Sequence, residues 1–426
     1  MKTFLTSLII LVSIGSTFSQ WTQQLSPTKR NLYDIKFFEN RGVIVGDSVI
    51  LTSNDSGKTW KSQDFGEIFW RCAFQSKDTI WAVAITDLIS KSIDGGKTWE
   101  TVNLDSSSTF KGYKEAVFFL DKMHGWIGGA EAKSYGNGYI LRTDNGGETW
   151  QKVAVDTADI YDISFVDTLN GWACSWAGGK IFKTTDGGKS WRLNKKIILN
   201  GQTIGDPLRR IFFTTKDSGW TVGGIAGDQI IARTTDGGEN WNIYKDINGS
   251  SLHGLWFTDS QNGWTVGGAN AGPRIIRTTD GGENWVLQEN LPVSYFLPYI
   301  ESIYMFDSNT GFTVADSGII LKTTNGGLLT GGIESSIIPD NIELFQNYPN
   351  PFNPSTNISY NLPFGSFVTL RIYDNLGRTL VTLVNNYQNA GLHSLTFDGK
   401  DLPSGIYYYK LRASDFSQTK KLILLK

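Results

Sequence analysis

The chain is short of the residues that carry most enzyme chemistry, and short of the patterns that build helices. Of 426 residues, three are histidine and two are cysteine. His124, His253 and His393 fall in separate regions and no cysteine pair has zinc-ligand spacing, so no metal site is expected. Cys72 and Cys174 lie two repeats apart, whereas bridged Cα atoms sit within about 7 Å; two buried free thiols are the expectation. An excess of one charge is missing as well. With 39 basic and 41 acidic residues the net charge is −2, which gives no field to draw nucleic acid or an anionic membrane. Beyond the first residues no apolar run is long enough to span a bilayer, and sustained helical periodicity is lacking. Glycine pairs are frequent, but none forms a phosphate loop opening a helix, so no nucleotide cofactor is expected.

What is plentiful points one way. The 47 glycines, 15 tryptophans, 24 phenylalanines and 16 tyrosines suit short strands joined by tight turns. One motif recurs seven times. Six copies end in Trp: Ser53-Asn-Asp-Ser-Gly-Lys-Thr-Trp60, Ser92 to Trp99, Thr143 to Trp150, Thr184 to Trp191, Thr234 to Trp241 and Thr278 to Trp285. The seventh, Thr323-Thr-Asn-Gly-Gly-Leu-Leu-Thr330, keeps the turn and loses the Trp. A period of roughly 40–50 residues is that of a propeller blade.

Each repeat has four short apolar segments; in the fourth they are 162–167, 171–176, 180–185 and 191–194. They read as four antiparallel strands. The second opens on a Gly-aromatic pair at Gly125-Trp126, Gly171-Trp172, Gly219-Trp220, Gly263-Trp264 and Gly311-Phe312, with Trp81 in the equivalent place. Such an aromatic can fill the wedge between blades. Trp21-Thr-Gln-Gln looks like the fourth strand missing from the last repeat, so the amino end is expected to complete that blade and leave no open edge.

The motif, set between third and fourth strands, resembles the Asp-box of sialidases and other propellers. Its acidic or amide residue (Asp55, Asp94, Asn145, Asp186, Asp236, Asp280 and Asn325) is expected to accept backbone N–H groups across the turn. The glycine three before the Trp supplies a positive φ. These are structural roles, and no catalytic residue is assigned. Residues 20–330 further resemble the photosystem II assembly-factor-like propellers, through Gly-Trp-x-x-Gly followed by Thr-Thr-Asp-Gly-Gly-x-x-Trp in Gly219 to Trp241 and Gly263 to Trp285. That resemblance implies a seven-bladed β-propeller acting as an interaction platform. An arginine patch serves photosynthetic members, and Arg71, Arg209 and Arg210 are only positional candidates for one.

The two ends read as export signals. Lys2, an apolar run from Phe4 to Ile14 and Gly15-Ser-Thr-Phe-Ser19 make residues 1–19 an expected signal peptide, cleaved before Gln20. After an expected linker at 331–342, the alternating segments of 343–426 predict a small immunoglobulin-like β-sandwich. This region resembles the type A C-terminal sorting domain of the type IX secretion system. The resemblance lies in Gln346-Asn-Tyr-Pro-Asn-Pro-Phe-Asn-Pro354, Ile372-Tyr-Asp-Asn-Leu-Gly-Arg378, Ala390-Gly-Leu-His393, Ser404-Gly-Ile-Tyr-Tyr-Tyr409 and Lys420 to Lys426. It implies the secretion machinery as one partner, and a secreted or cell-surface location in a Bacteroidetes-like bacterium.

The expected fold is therefore all-β, a seven-bladed propeller followed by a small sandwich. A ligand is expected at the channel mouth opposite the Asp-box turns, where Asp34, Trp70, Arg71, Glu115, Asp162, Arg209, Arg210, His253 and Glu301 open the innermost strands. Uneven loops at 131–138 and 268–273 add to that face. The leading expectation is a non-catalytic module for an envelope protein or glycan. The alternative is an Asp-box glycoside hydrolase, sialidase-like or xyloglucan-hydrolase-like, drawing a carboxylate pair from Asp34, Glu115, Asp162 and Glu301.

Overall fold

The computed structural model describes the chain outside residues 1–19, 105–111, 132–136, 157–158, 177, 200–201, 204–206, 225–226, 269–271, 289–290, 294–298, 328–341, 348, 363–365, 389–390, 414–415 and 426. The expected signal peptide, most of the expected linker and parts of both uneven loops thus lie outside the described residues. So do the last three residues of the seventh motif.

Among the described residues, strand pairing gives seven antiparallel four-stranded units in chain order. Five are separate sheets, such as Ile160–Phe165, Gly171–Ser175, Lys180–Thr184 and Arg192–Lys196. The first two units share a six-stranded sheet, because Arg41–Ser53 and Lys61–Phe74 each run through two strand positions. The innermost strands are Leu32–Phe38, the second half of Lys61–Phe74, Tyr113–Phe119, Ile160–Phe165, Leu208–Phe213, Leu252–Phe257 and Ile300–Met305. Each lies against the next, and the last lies against the first, so the array closes into a propeller.

Closure uses the amino end. Thr22–Gln23 pairs with Ile320–Thr323 as the outer strand of the seventh blade. Trp21 is fully buried, and its indole N–H donates to Gln288 Oε1 at 2.6 Å; Gln288 Nε2 in turn donates to the Gly326 carbonyl.

The same clasp joins one blade to the next. The second-strand indoles of Trp126, Trp172, Trp220 and Trp264 donate to the carbonyls of Gly187, Gly237, Gly281 and Gly326, the first glycine of the following Asp-box, at 2.9 to 3.1 Å. Trp81 reaches the next box through Gln75, which bonds both the indole and the Gly146 carbonyl. Four of these five rings also lie against an inner-strand phenylalanine of the next blade, Trp81 on Phe119 among them, and Met305 stands in its place beside Trp264. Trp126–Phe165, Trp172–Phe213 and Trp220–Phe257 stack with centroids 3.6 to 3.7 Å apart. The box tryptophan then meets the same phenylalanine edge-on, as in Phe213–Trp241 at 6.0 Å. The glycine opening each second strand is required, because a Cβ at Gly125, Gly171, Gly219 or Gly263 would land in the phenylalanine ring of its own blade.

The turns are built from their own side chains. In the second box, Ser92 Oγ donates to Asp94 Oδ1 at 2.9 Å and accepts the Gly96 N–H at 2.8 Å, while Asp94 accepts the Thr98 N–H at 2.9 Å. The first box glycine donates to the carbonyl of the turn between inner and second strands, as Gly187 N to Leu169 O at 2.9 Å. The Asp-box turns therefore share a face with the trailing ends of the innermost strands. Cys72 and Cys174 are buried and free.

In the carboxy-terminal part, a sheet of Glu343–Leu344, Ser355–Leu362 and Gly391–Asp398 and a four-stranded sheet share one apolar core that includes Ile358, Tyr360, Leu370, Tyr409 and Leu424. Tyr409 Oη donates to the Phe345 carbonyl and accepts the Asn347 N–H. Among the described residues no helix is long and apolar enough to cross a membrane.

Two outcomes follow from this packing. Trp21→Ala empties a fully buried site and lowers unfolding stability by about 3 kcal/mol in denaturant titration; an unchanged midpoint would contradict closure by the amino end. Asp94 is held at about 2, against an ordinary 3.8, first by the Thr98 N–H and then by the Thr98 hydroxyl. Its folded value lies below the unfolded one, so the stabilisation is complete above the ordinary value and lost as pH falls through about 2. Asp94→Asn, which copies the natural Asn145 turn, should flatten the fall of Tm between pH 5 and 2; parallel curves would contradict this.

Candidate functional site

Every innermost strand carries a β-bulge at the same place. The register slips between Leu32 and Asp34, Phe69 and Arg71, Lys114 and Ala116, Ile160 and Asp162, Leu208 and Arg210, Leu252 and Gly254, and Ile300 and Ser302. A bulge leaves one residue unpaired and re-aims its neighbours. The unpaired residues are Tyr33, Trp70, Glu115, Tyr161, Arg209, His253 and Glu301, and the next residues form a second tier. The expected mouth residues thus occupy the bulges, at the end of the channel away from the Asp-box turns. Much of this tier is packed rather than open: Tyr161, His253 and Glu301 are buried, while Trp70, Glu115 and Arg209 are half-buried.

The second tier holds the densest charge. Asp34 is fully buried and bonded through both oxygens. Its Oδ1 accepts the Ser302 hydroxyl at 2.7 Å and Lys36 Nζ at 3.2 Å, and its Oδ2 accepts the Cys72 N–H at 3.1 Å. Burial works to raise its pKa, but Lys36, Arg210, Arg71 and Ser302 outweigh it and hold the carboxyl at about 2. Asp162 Oδ2 accepts the Ile211 N–H at 3.0 Å, yet burial raises its pKa. Burial and then Arg210 pull Arg71 down to about 10, so it stays charged at neutral pH. Arg71 Nη1 donates to the Trp70 carbonyl at 2.8 Å, and its guanidinium lies 5.2 Å from the Trp70 ring centroid. Arg210 is 5% exposed, and its Nη2 sits 3.5 Å from Asp34 Oδ1. Both of its terminal nitrogens are buried without a hydrogen-bond acceptor among the described residues.

In the first tier, Arg209 lies 4.5 Å over the Trp176 ring, and Tyr161 leans on Trp176 with centroids 4.9 Å apart. Burial, and then the charge of Asp159, push Glu115 up to about 8, so it is mostly protonated at neutral pH. His253 bridges two blades: Nδ1 is 2.8 Å from Glu301 Oε2 and Nε2 is 2.8 Å from Ser251 Oγ. Burial lowers the His253 pKa, while Glu301 stays below its ordinary value because the imidazole beside it outweighs burial. The spacing is that of a serine, base and acid, but Ser251 is 3% exposed and its hydroxyl also lies 3.3 Å from the Gly268 carbonyl. The trio fills the joint between blades six and seven. Sequence reading missed it because its members meet only across blades.

The channel continues as a cavity of about 600 Å³ on the Asp-box side of the charged tier. Asp34, Arg71, Asp162, Arg210 and Ser302 line one end; Phe38, Gln75, Leu120 and Lys122 line the other. Between them runs an aromatic arc: Phe212 and Trp256 have centroids 5.4 Å apart, and Trp256 and Tyr304 4.5 Å. Lys36 Nζ sits 5.6 Å from the Trp256 centroid. Neither the arc nor Lys36 was marked by the sequence as a site. Trp256 lies outside both recurrent tryptophan positions, the end of the Asp-box and the Gly-aromatic pair, and that was the available signal.

These features define an Asp-box propeller with a charged, bulge-built channel, followed by a separate two-sheet region. The comparisons with known proteins refine this class. Residues 62–159 and 149–248 match the family model of the photosynthesis system II assembly factor YCF48, and residues 346–425 match that of the secretion system C-terminal sorting domain. The propeller is thus assembly-factor-like and BNR-like over the matched repeats, and residues 346–425 are a type IX sorting domain, which supports a secreted or cell-surface location. A solved structure of YCF48 bound to D1 peptide is 20% identical, with TM-score 0.57, over 72% of this chain and 98% of that one. YCF48 from Cyanidioschyzon merolae is 22% identical, with TM-score 0.55 and the same coverage. The GH74 xyloglucanase of Xanthomonas campestris is 13% identical, with TM-score 0.56, over 80% of this chain and 59% of that one. At these identities the likeness is one of fold. No curated protein matches the chain.

Removing the anion from the charged tier tests its role. Asp34→Asn leaves Lys36, Arg71 and Arg210 without their shared partner and should cost about 3–5 kcal/mol in urea unfolding at pH 7. An unaltered midpoint would show that the tier contributes nothing to holding the channel together.

Proposed function

We propose that the protein is a non-catalytic capture module, exported through its sorting domain, whose propeller binds a peptide or protein segment of the cell envelope. The observation that carries this reading is the cavity. Its walls are largely aromatic and aliphatic between a charged tier at one end and Gln75, Ser76, Asp121 and Lys122 at the other, and its volume of about 600 Å³ falls in the range of pockets that take a small ligand. Asp34 is spent on structural partners and so is a poor nucleophile or base. The solved YCF48 structure with D1 peptide supports a peptide ligand by analogy of fold. In this reading residues 343–426 engage the type IX machinery, and the first-tier residues Trp70, Glu115, Arg209, His253 and Glu301 shape the far mouth.

A hydrolase reading has one observation in its favour: Glu115, at about 8, is protonated at neutral pH as a general acid must be. The two readings separate in one set of measurements. The purified chain should capture an envelope protein that mass spectrometry identifies and that binds again in purified form. It should leave xyloglucan and sialylated substrates uncleaved. Turnover of either glycan, abolished by Glu115→Gln, would replace the capture reading with the hydrolase one; retention on a glycan array without protein capture would move the ligand class to sugars.

A further inference from the structure

We infer that the Asp-box end of the channel is a binding site for a carboxylate carried on an aromatic or branched apolar group, with Arg210, Arg71 and Lys36 receiving the carboxylate and Phe212, Trp256 and Tyr304 the apolar part. The inference rests on the capture reading and specifies the chemistry of its ligand. Three observations meet at this place.

The first is an unmet demand for acceptors. A guanidinium offers five N–H donors and no acceptor. Arg210 is 5% exposed and lines the cavity, yet both terminal nitrogens are buried without a hydrogen-bond acceptor among the described residues. Arg71, also 5% exposed and lining the cavity, leaves Nε in the same condition. Buried donors of this kind are rare, and each calls for an explanation, often an ion, water or ligand. Asp34 meets this demand only in part: its nearest oxygen lies 3.5 Å from Arg210 Nη2, and that oxygen already accepts Ser302 and Lys36.

The second is the charge balance. Of the acidic residues lining this end of the cavity, Asp34 and Asp162 stand against Lys36, Arg71 and Arg210, with Glu301 near Arg71 behind them and paired to His253. One positive charge is left over among the groups that line this end, and a single carboxylate neutralises it. An arginine fork takes a carboxylate with two parallel N–H bonds, which a neutral amide cannot match.

The third is what adjoins the cations. Phe212, Trp256 and Tyr304 form a continuous arc on neighbouring blades, with Lys36 beside the Trp256 ring. An acetate-sized ion leaves this arc unfilled, whereas an acid bearing a ring fills both halves of the site. A ligand reaches it from the Asp-box face, because the charged tier and the packed bulge residues lie at the other end.

The carboxylate can belong to a free aromatic acid or to the last residue of a peptide, and the test separates the two. Calorimetry is run on the full chain with phenylacetate, with N-acetyl-Ala-Phe as free acid, with its C-terminal amide and with acetate. The expected result is saturable binding of at least one aromatic acid, with the amide and acetate each weaker by about 10- to 100-fold. Tighter binding of the peptide acid than of phenylacetate identifies a chain terminus as the source, and the reverse order a free acid. Arg210→Met should weaken the acid by a similar factor while leaving the amide unaffected. If Arg210→Met fails to fold, Trp256→Leu serves instead: it should weaken the aromatic acid and leave acetate unchanged, and binding should quench Trp256 fluorescence in the parent chain. No binding of either acid at millimolar concentration, equal binding of acid and amide, or an undiminished affinity in a folded Arg210→Met chain would overturn the site. Envelope-protein capture that persists while the acids fail to bind sinks this site alone. Acid binding with no capture sinks the capture reading alone.

Discussion

The structure depends on one contact repeated along most of the ring: a tryptophan on the second strand of a blade, held between the Asp-box turn and, in four of five cases, an inner-strand phenylalanine of the next. Its indole N–H satisfies the glycine carbonyl that the turn presents, and its ring stacks on the phenylalanine, as Trp172 does on Gly237 and Phe213. A buried hydrogen bond contributes about 1 kcal/mol and an aromatic pair a similar amount beyond the area it buries. Neither is large alone. Repetition makes them the framework, because blades two to six each present a second-strand tryptophan to the blade that follows. The joints that vary show what is required. Phe312 keeps the stack on Phe37 with centroids 5.4 Å apart and has no N–H to give, whereas Trp81 keeps its N–H and reaches the next turn through Gln75.

A frame fixed at its periphery leaves its axis free to differ. Bulges at one position in all seven innermost strands turn two successive side chains away from the regular alternation. The resulting tiers are chemically uneven: Asp34, Arg71, Asp162 and Arg210 on four strands, and Ala116, Gly254 and Ser302 on the others. Buried charges are costly unless paired. Asp34 gathers partners from three blades besides its own, through Cys72, Ser302 and Arg210. The same arrangement leaves Arg210 short of acceptors beside an aromatic wall, and that shortage is the basis of the binding proposal.

Much of the frame was legible in the sequence, because it is written in local repeats. The Asp-box spacing, the Gly-aromatic pairs and the four strands of a blade all follow from residues close together in the chain. Trp21 gave away the completion of the seventh blade because the fragment following it copies the start of an outer strand. The charged axis was legible only in part. Asp34, Arg71, Asp162 and Arg210 were picked out by position, but whether they faced solvent or one another depends on a bulge that no local pattern announces. The phenylalanines at 119, 165, 213 and 257 read simply as apolar strand residues, although they receive the clasp. Lys36, Trp256 and Tyr304 come together only when blades one, six and seven meet, and Ser251, His253 and Glu301 only across one joint. Contacts of that separation leave no periodic trace.

The most direct test of the clasp is a double-mutant cycle on Trp172 and Phe213, with each residue changed to leucine alone and together and stability read from urea unfolding. A framework held by the stacked pair predicts a favourable coupling of about 0.5–1.5 kcal/mol, larger than that of Trp172 with a distant phenylalanine such as Phe397. Strictly additive losses would mean that the rings merely fill space and that the ring of blades is held by something else.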